Sequence, residues 1–276
     1  MSTAGTRTLA DEIAWATGSL QEVGVDSPRL DAELLLAHLL RIDRTALLLR
    51  AGEPVSSDVR TLYLALVARR ARYEPIAYIL GKRGFRRLDL AVDARVLIPR
   101  PETEHLVEAI VELAPQGARV ADVGTGSGAV ALALADERPD LQVTGIDISA
   151  GALAVAKLNG ARRRLDVRWV CADLLDDGEY DVIAANLPYI ADDALLPPDV
   201  ARWEPAKALQ GGPDGLDQIR RLLALVSARP AVSLLALEIG YDQGAAVSAL
   251  AREAGFGQVE VRADLAGLDR VVIGRR

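Results

Sequence analysis

Two short stretches of this chain carry residue types at spacings that can do chemistry. The first is Asp122-Val123-Gly124-Thr125-Gly126-Ser127-Gly128, placed where an apolar run should turn into a helix. Its glycines permit a tight turn and let a ligand approach the backbone closely. With Ala129 the stretch also satisfies G-x-G-x-x-G/A, so a nicotinamide or flavin nucleotide is a legitimate occupant. Asp122 argues against it. A carboxylate two residues before the first glycine would lie near a bound pyrophosphate, where like charges repel, whereas S-adenosylmethionine has no phosphate and offers an ammonium. Asp147, with Ile148 beside it, ends the next apolar run, the position from which a carboxylate accepts both ribose hydroxyls of either cofactor. Asp173, after the third run, could accept from an adenine amino group with Leu174 against the ring; an ordinary helix cap is the equal alternative.

The second stretch is Asn186-Leu187-Pro188-Tyr189, just past the fourth apolar run. An amide nitrogen is a poor nucleophile because its lone pair is delocalised into the carbonyl. The Asn186 side-chain oxygen and the Leu187 carbonyl can accept both N–H bonds of an NH2 group and turn it toward a methyl sulfonium. Orientation of that kind contributes on the order of 7 to 11 kcal/mol. Pro188 biases Leu187 toward an extended backbone, and Tyr189 offers a flat face to a planar acceptor. A plain turn is the competing reading, but the loop falls at the carboxyl ends of the strands, where open parallel sheets bind ligands.

These residues must be positioned by an alternating chain. Apolar runs at Arg119 to Val123, Gln142 to Ile146, Val167 to Val170, Asp181 to Ala185 and Val232 to Leu237, separated by helical segments, predict a parallel sheet with crossover helices. Gln258 to Arg262 and Arg270 to Ile273 are joined too tightly for a crossover, so the sheet should finish antiparallel. Ahead of it, residues 8 to about 80 read as helices. Leu9, Ile13, Leu20 and Val23 mark one apolar face, and Ser27-Pro28 opens a second helix with Leu30, Leu34, Leu35 and Leu39. Ser56-Ser57 opens a third with Leu62 and Leu66, which Glu74-Pro75 ends. Glycines, prolines and alternation from Gly81 to Pro99 suggest a strand pair. The expected fold class is α/β, a Rossmann-like, mostly parallel seven-stranded sheet with an antiparallel terminal strand. The division reads 1–80 helical docking domain, 81–99 hairpin linker, 100–276 catalytic domain.

Composition narrows the classes. In 276 residues, half of them apolar, a sizeable core can be buried. No apolar run reaches the roughly 20 residues needed to span a bilayer, and the start Met1-Ser2-Thr3-Ala4-Gly5 has no leader character, so a cytoplasmic protein is expected. One cysteine, Cys171, allows no internal disulfide or thiolate zinc cage and reads as a small apolar residue on a buried strand. His38 and His105 are far apart and read as packing or solvated helix residues, so no metal is expected. A net charge of −7 does not indicate a broad surface for duplex nucleic acid. Arg69-Arg70, Arg72 and Arg162-Arg163-Arg164 read first as solvated helix ends and second as docking patches.

The glycine-rich stretch and Asn186-Leu187-Pro188-Tyr189 resemble class I methyltransferases acting on amino or amide nitrogen, whose acceptor loop reads Asn/Asp-Pro-Pro-Tyr/Phe. Leucine stands here at the second position, which would act through its backbone carbonyl. Glu74-Pro75-Ile76-Ala77-Tyr78, Leu97-Ile98-Pro99-Arg100-Pro101-Glu102-Thr103-Glu104, Glu204-Pro205, Ala208-Leu209 and Gly211-Gly212 look like release-factor glutamine N5-methyltransferase, the PrmC/HemK type. The resemblance covers nearly the whole chain. It implies a helical amino-terminal domain, a hairpin and a methyltransferase domain that acts as a monomer on the glutamine of the Gly-Gly-Gln loop of class-1 peptide chain release factors. Gly124 to Gly128, Asp147, Leu174 and Asn186 would then hold the cofactor, Asn186 to Tyr189 the glutamine, and Arg100, Pro101 and Glu102 would support or dock it. Glutamine methylation of a large-subunit ribosomal protein ranks second, since that relative typically carries Ser-Pro after Pro-Arg. Adenine methylation of ribosomal RNA, where Asn-Leu-Pro-Tyr also occurs, and a docking module without catalysis rank lower.

Overall fold

The computed structural model describes residues 7–276, so the expectation drawn from Met1 to Gly5 lies outside the described residues. The chain divides into two compact units, one running to Gly81 and including Pro197–Trp203, the other made of Lys82–Leu196 and Glu204–Arg276.

The first unit is helical: α1 Leu9–Glu22, α2 Pro28–Leu40, α3 Arg44–Leu49, α4 Ser57–Arg70 and α5 Ile76–Leu80. Thr8 and Asp11 form a reciprocal capping box on α1, and Ser56 accepts from the Val59 amide to start α4. Pro28 opens α2, although Ser27 before it makes no side-chain cap. Helix α3 was not expected; Asp43 starts it by accepting from the Ala46 amide at 2.7 Å. Leu9, Ile13, Leu20 and Leu35 are core residues as expected, while Val23, Leu30 and Leu62 are exposed. In α4 the buried stripe is Tyr63, Val67 and Arg70, one residue round from Leu62 and Leu66. Both stripes have helical spacing, and the Tyr63 hydroxyl, which donates to the Ala32 carbonyl at 2.9 Å, goes with the inner one. Arg70 is likewise not a solvated end: it is buried against Asp31 at 2.6 Å, as a charge removed from water must be.

The second unit opens with the antiparallel hairpin β1 Lys82–Phe85 and β2 Leu88–Ala91. A 3-10 turn at Pro101–Thr103 leads into α6 Glu104–Leu113. Then follow β3 Arg119–Val123, α7 Ala129–Glu137, β4 Gln142–Asp147, α8 Ala150–Arg163, β5 Arg168–Cys171 and β6 Val182–Ala185; after α9 Pro198–Trp203, which belongs to the first unit, come α10 Asp217–Ser227, β7 Leu234–Glu238, α11 Gly244–Glu253, β8 Gln258–Ala263 and β9 Asp269–Arg275. The sheet order is β5-β4-β3-β6-β7-β9-β8, with β3 to β7 parallel and β9 antiparallel to both neighbours. This is the expected α/β architecture.

Strands β6 and β7 are buried along their whole length because helices cover both faces. Leu106 and Ile110 of α6 and Val130 and Leu134 of α7 pack with Val120, Ala184 and Ile273 on one side. Ile219 and Leu222 of α10 and Val247 and Ala251 of α11 pack with Ala121, Ile183 and Leu235 on the other. Cys171 corrects its expectation: it ends β5 and is exposed. The chain winds outward from β3 to β5 and then crosses back to β6 on the other flank of β3. The carboxyl ends of β3 and β6 therefore border the switch point, where such sheets leave a crevice.

Candidate functional site

Strand β3 delivers the glycine-rich loop to the rim. Gly124, Gly126 and Gly128 have φ of +73°, +56° and +82°, a backbone that side chains resist. Gly124 is exposed and Gly126 half-buried, whereas Thr125 and Ser127 turn inward, so the loop shows a ligand its backbone. Asp147 closes the loop from β4: Oδ2 accepts from the Gly126 amide at 2.9 Å and Oδ1 from the Ser149 amide at 2.8 Å. Each oxygen keeps a lone pair for a further donor, so a ribose can still be held. From α8, buried Asn159 accepts from the Ala91 amide at 2.7 Å and donates to the Ser127 carbonyl at 2.9 Å, tying the loop to the hairpin. This anchor was not found in the sequence, where a helical asparagine carries no signal of its own.

Asp122 is 1% exposed and closes beneath the loop. Its Oδ2 accepts from the Thr125 hydroxyl at 2.5 Å and the Ala131 amide at 3.0 Å. It thus shapes the loop and the start of α7, and any influence on a bound cation acts through its field. Burial, against those two hydrogen bonds and with Asp147 adding to it, pushes its carboxyl up to about 7. Glu238 at the end of β7 is also buried, and burial again pushes it up to about 7. Carboxyls raised in the folded state stabilise the fold most below their unfolded values, and that contribution is lost as pH rises through the folded ones. The unfolding temperature is therefore expected to fall as pH is raised from about 5 to about 9, and Asp122→Asn should flatten part of that fall. A thermal-melt series over pH checks this, and an identical slope in the variant contradicts it.

The second loop leaves β6 against the first. A Cβ built on Gly124 would stand 3.2 Å from Leu187 Cδ2 and 3.6 Å from the Asn186 carbonyl oxygen, so the loops touch at the switch point. Asn186 Nδ2 donates to the Thr103 hydroxyl at 3.1 Å. Among the described residues, neither Asn186 Oδ1 nor the Leu187 carbonyl accepts a hydrogen bond. Two acceptors are thus left on the half-buried Asn186 side chain and the backbone beside it, the arrangement needed for an NH2 group. The Tyr189 hydroxyl donates to Glu238 Oε1 at 3.3 Å, and burial with that carboxylate raises the phenol above its ordinary value. Gln243 Nε2 donates to the Tyr189 carbonyl at 3.0 Å, and Ile190 exchanges backbone bonds with Leu209 and Gly211. The loop is therefore clamped on both sides.

The remaining expected residues are distributed around these loops. Leu174 is buried in the same cluster as Val123, Ile146 and Leu187, with a left-handed φ of +68° unusual for its type. Ile148 is exposed beside Asp147. Asp173 starts no helix and instead pairs with Arg221 at 2.6 Å, with both side chains about half exposed. Arg100 pairs with buried Glu204 at 2.5 Å, and Glu204 also accepts from the Ile98 amide at 3.0 Å, so these two motif residues brace each other. Sequence reasoning missed Thr103, Glu238 and Gln243. For Glu238 a signal existed, a single carboxylate closing an otherwise apolar parallel strand at its ligand-facing end.

Comparison with known proteins identifies relatives of this chain. Residues 11–81 match the PrmC N-terminal domain family and residues 101–200 the Methyltransferase small domain family. The chain is 44% identical over 255 residues to a release factor glutamine methyltransferase of Neisseria gonorrhoeae, covering 90% of this chain and 93% of that one. It is 42% identical over 276 residues to one of Deinococcus radiodurans, covering 97% and 98%. Among solved structures it is similar to the T. thermophilus 16S rRNA N2 G1207 methyltransferase in complex with AdoMet and guanosine, with TM-score 0.51, 16% identity, and 71% of this chain and 49% of that chain covered. At that identity the likeness is one of fold.

Proposed function

The chain belongs to the release factor glutamine methyltransferase family, and we propose from that premise that it methylates the side-chain amide of the glutamine in the Gly-Gly-Gln loop of class-1 peptide chain release factors. The observation that carries this reading is the contact of the two loops: Gly124 abuts Asn186 and Leu187, while Asn186 is turned so that its oxygen is left without a partner. The cofactor is S-adenosylmethionine, which when bound supplies a methyl group on a positively charged sulfur. The residues present fit it: a glycine backbone open at Gly124 and Gly126, a rim carboxylate at Asp147 with accepting capacity to spare, and apolar Ile148 and Leu174 for a flat base.

In this reading Asn186 Oδ1 and the Leu187 carbonyl accept the two N–H bonds of the glutamine amide and hold its nitrogen toward the methyl group. Pro188 keeps the Leu187 carbonyl aimed, and Tyr189 covers the amide plane. Asp173, which pairs with Arg221, would accept from the adenine amino group. The helical unit would grip the release factor outside the Gly-Gly-Gln loop. No helix among the described residues is long and apolar enough to cross a membrane, and a substrate that acts on ribosomes puts the reaction in the cytoplasm. The test is competition: methyl-labelled cofactor offered with unmodified release factor, large-subunit ribosomal protein and ribosomal RNA together. Label is expected on the release factor, and label on either rival overturns the assignment.

A further inference from the structure

We propose that Thr103 is a positioning residue that fixes the Asn186 side-chain amide with its oxygen toward the substrate nitrogen. The inference rests on the function proposed above and adds a residue to its machinery. Thr103 is buried at the N-cap position of α6, where a threonine hydroxyl ordinarily accepts from a backbone amide of the first turn, yet its side chain makes no cap bond. It is spent instead on Asn186, 83 residues away in sequence, at 3.1 Å.

The direction of that bond follows from what lies behind it. Glu238 closes β7 beside Thr103, with the Tyr189 hydroxyl donating to Oε1 at 3.3 Å and Oε2 buried without a partner. An ionised carboxylate only accepts, and its open Oε2 draws the single proton of the Thr103 hydroxyl, a group that favours the ionised form. The threonine oxygen then has lone pairs left and no proton to give. Only the NH2 end of Asn186 can satisfy it, which turns the carbonyl end outward. Were the amide reversed, its N–H bonds would face those of the glutamine NH2, donor against donor, and the second N–H would lose its acceptor. Truncating the hydroxyl removes the choice between the two orientations.

Charged and titratable groups around Glu238 set when this relay holds. Arg270 of β9 favours the ionised carboxylate, Glu102 disfavours it, the Thr103 and Tyr189 hydroxyls support it, and burial outweighs them, bringing the carboxyl up to about 7. Tyr189 is in turn influenced by Arg100 and Arg270. Below that point a protonated Glu238 can donate to Thr103, the hydroxyl proton is freed to point at Asn186, and the orientation is lost. Turnover should therefore decline on the acid side of about pH 7 through this group.

The test measures kcat and KM for the release factor, cofactor Kd by calorimetry and the unfolding temperature in the wild type, Thr103→Val and Thr103→Ser. Thr103→Val is expected to lower kcat by at least about tenfold with cofactor Kd and melting near wild type, while Thr103→Ser, which keeps the hydroxyl, stays within about threefold. Turnover of the valine variant within about threefold of wild type overturns the proposal, as does a serine variant as impaired as the valine one. Should Thr103→Val fail to fold, Glu238→Gln carries the test: loss of the acid limb of the kcat profile supports the relay, and an unchanged limb overturns it. A wild-type chain that labels no release factor overturns the functional reading itself, a failure distinct from any of these.

Discussion

Asn186→Ala is expected to lower kcat on the release factor by about a hundredfold to a thousandfold, the usual effect of deleting one preorganised hydrogen-bonding group at a reacting centre. The substitution removes Oδ1, one of the two acceptors for the amide hydrogens, and leaves the Leu187 carbonyl to hold the nitrogen alone. A group held by one bond swings about it, and the time spent aligned for transfer falls accordingly. The fold should tolerate the change, since Asn186 is half-buried and its side chain makes one hydrogen bond, to Thr103. Cofactor affinity should change less than turnover because the Gly124–Gly128 loop and Asp147 are held by bonds that Asn186 does not share. Single-turnover rates with calorimetric Kd separate the two effects. Near-normal turnover would remove Asn186 from the chemistry.

Gly215→Ala should be nearly as damaging, although Gly215 touches neither substrate nor cofactor in this account. Its φ of +75° already resists a side chain, and a Cβ there would stand 2.1 Å from the Tyr189 carbonyl oxygen and 2.8 Å from Gln243 Nε2. No rotamer relieves an overlap with backbone. The loop must move or the Gln243 bond to Tyr189 must break, and a displacement of about 1 Å at an acceptor costs about a hundredfold in rate. The effect should appear in kcat, with cofactor binding largely retained because the glycine-rich loop is fastened to β4 and α8 rather than to Gly215. Backbone strain adds a stability loss of about 1 to 3 kcal/mol, visible as a lower melting temperature. A variant that turns over normally would show that the Gly211–Gly215 segment does not brace the acceptor loop.

Much of this architecture is legible in the amino-acid sequence. The strand set emerged because buried parallel strands are short continuous apolar runs, as at Val182–Ala185, and the glycine loop because only glycine suits its left-handed turns. Asn186 to Tyr189 stood out because a loop at a strand's carboxyl end, beside such a turn, is where ligands bind. What escaped was non-local. Thr103 lies 83 residues from Asn186, Gln243 lies 54 from Tyr189, and Glu238 lies 49 from Tyr189. No local pattern announces pairs that are brought together only by the parallel pairing of β6 with β7 and the placement of the α6 start beside them. The helical face of α4 is ambiguous for a different reason: Leu62/Leu66 and Tyr63/Val67 share the same period, and burial falls on the pair with a hydroxyl that reaches Ala32. Asp173 was likewise undetermined, since its partner Arg221 lies on α10.

The central claim is that the rim loop holds one particular amide, and the most direct measurement is the mass of peptides from a release factor incubated with this protein and S-adenosylmethionine. A single added methyl group is expected on the glutamine of the Gly-Gly-Gln segment, absent when Asn186→Ala replaces the wild type over the same interval. A methyl group on any other residue, or an unaltered yield with the variant, would contradict it.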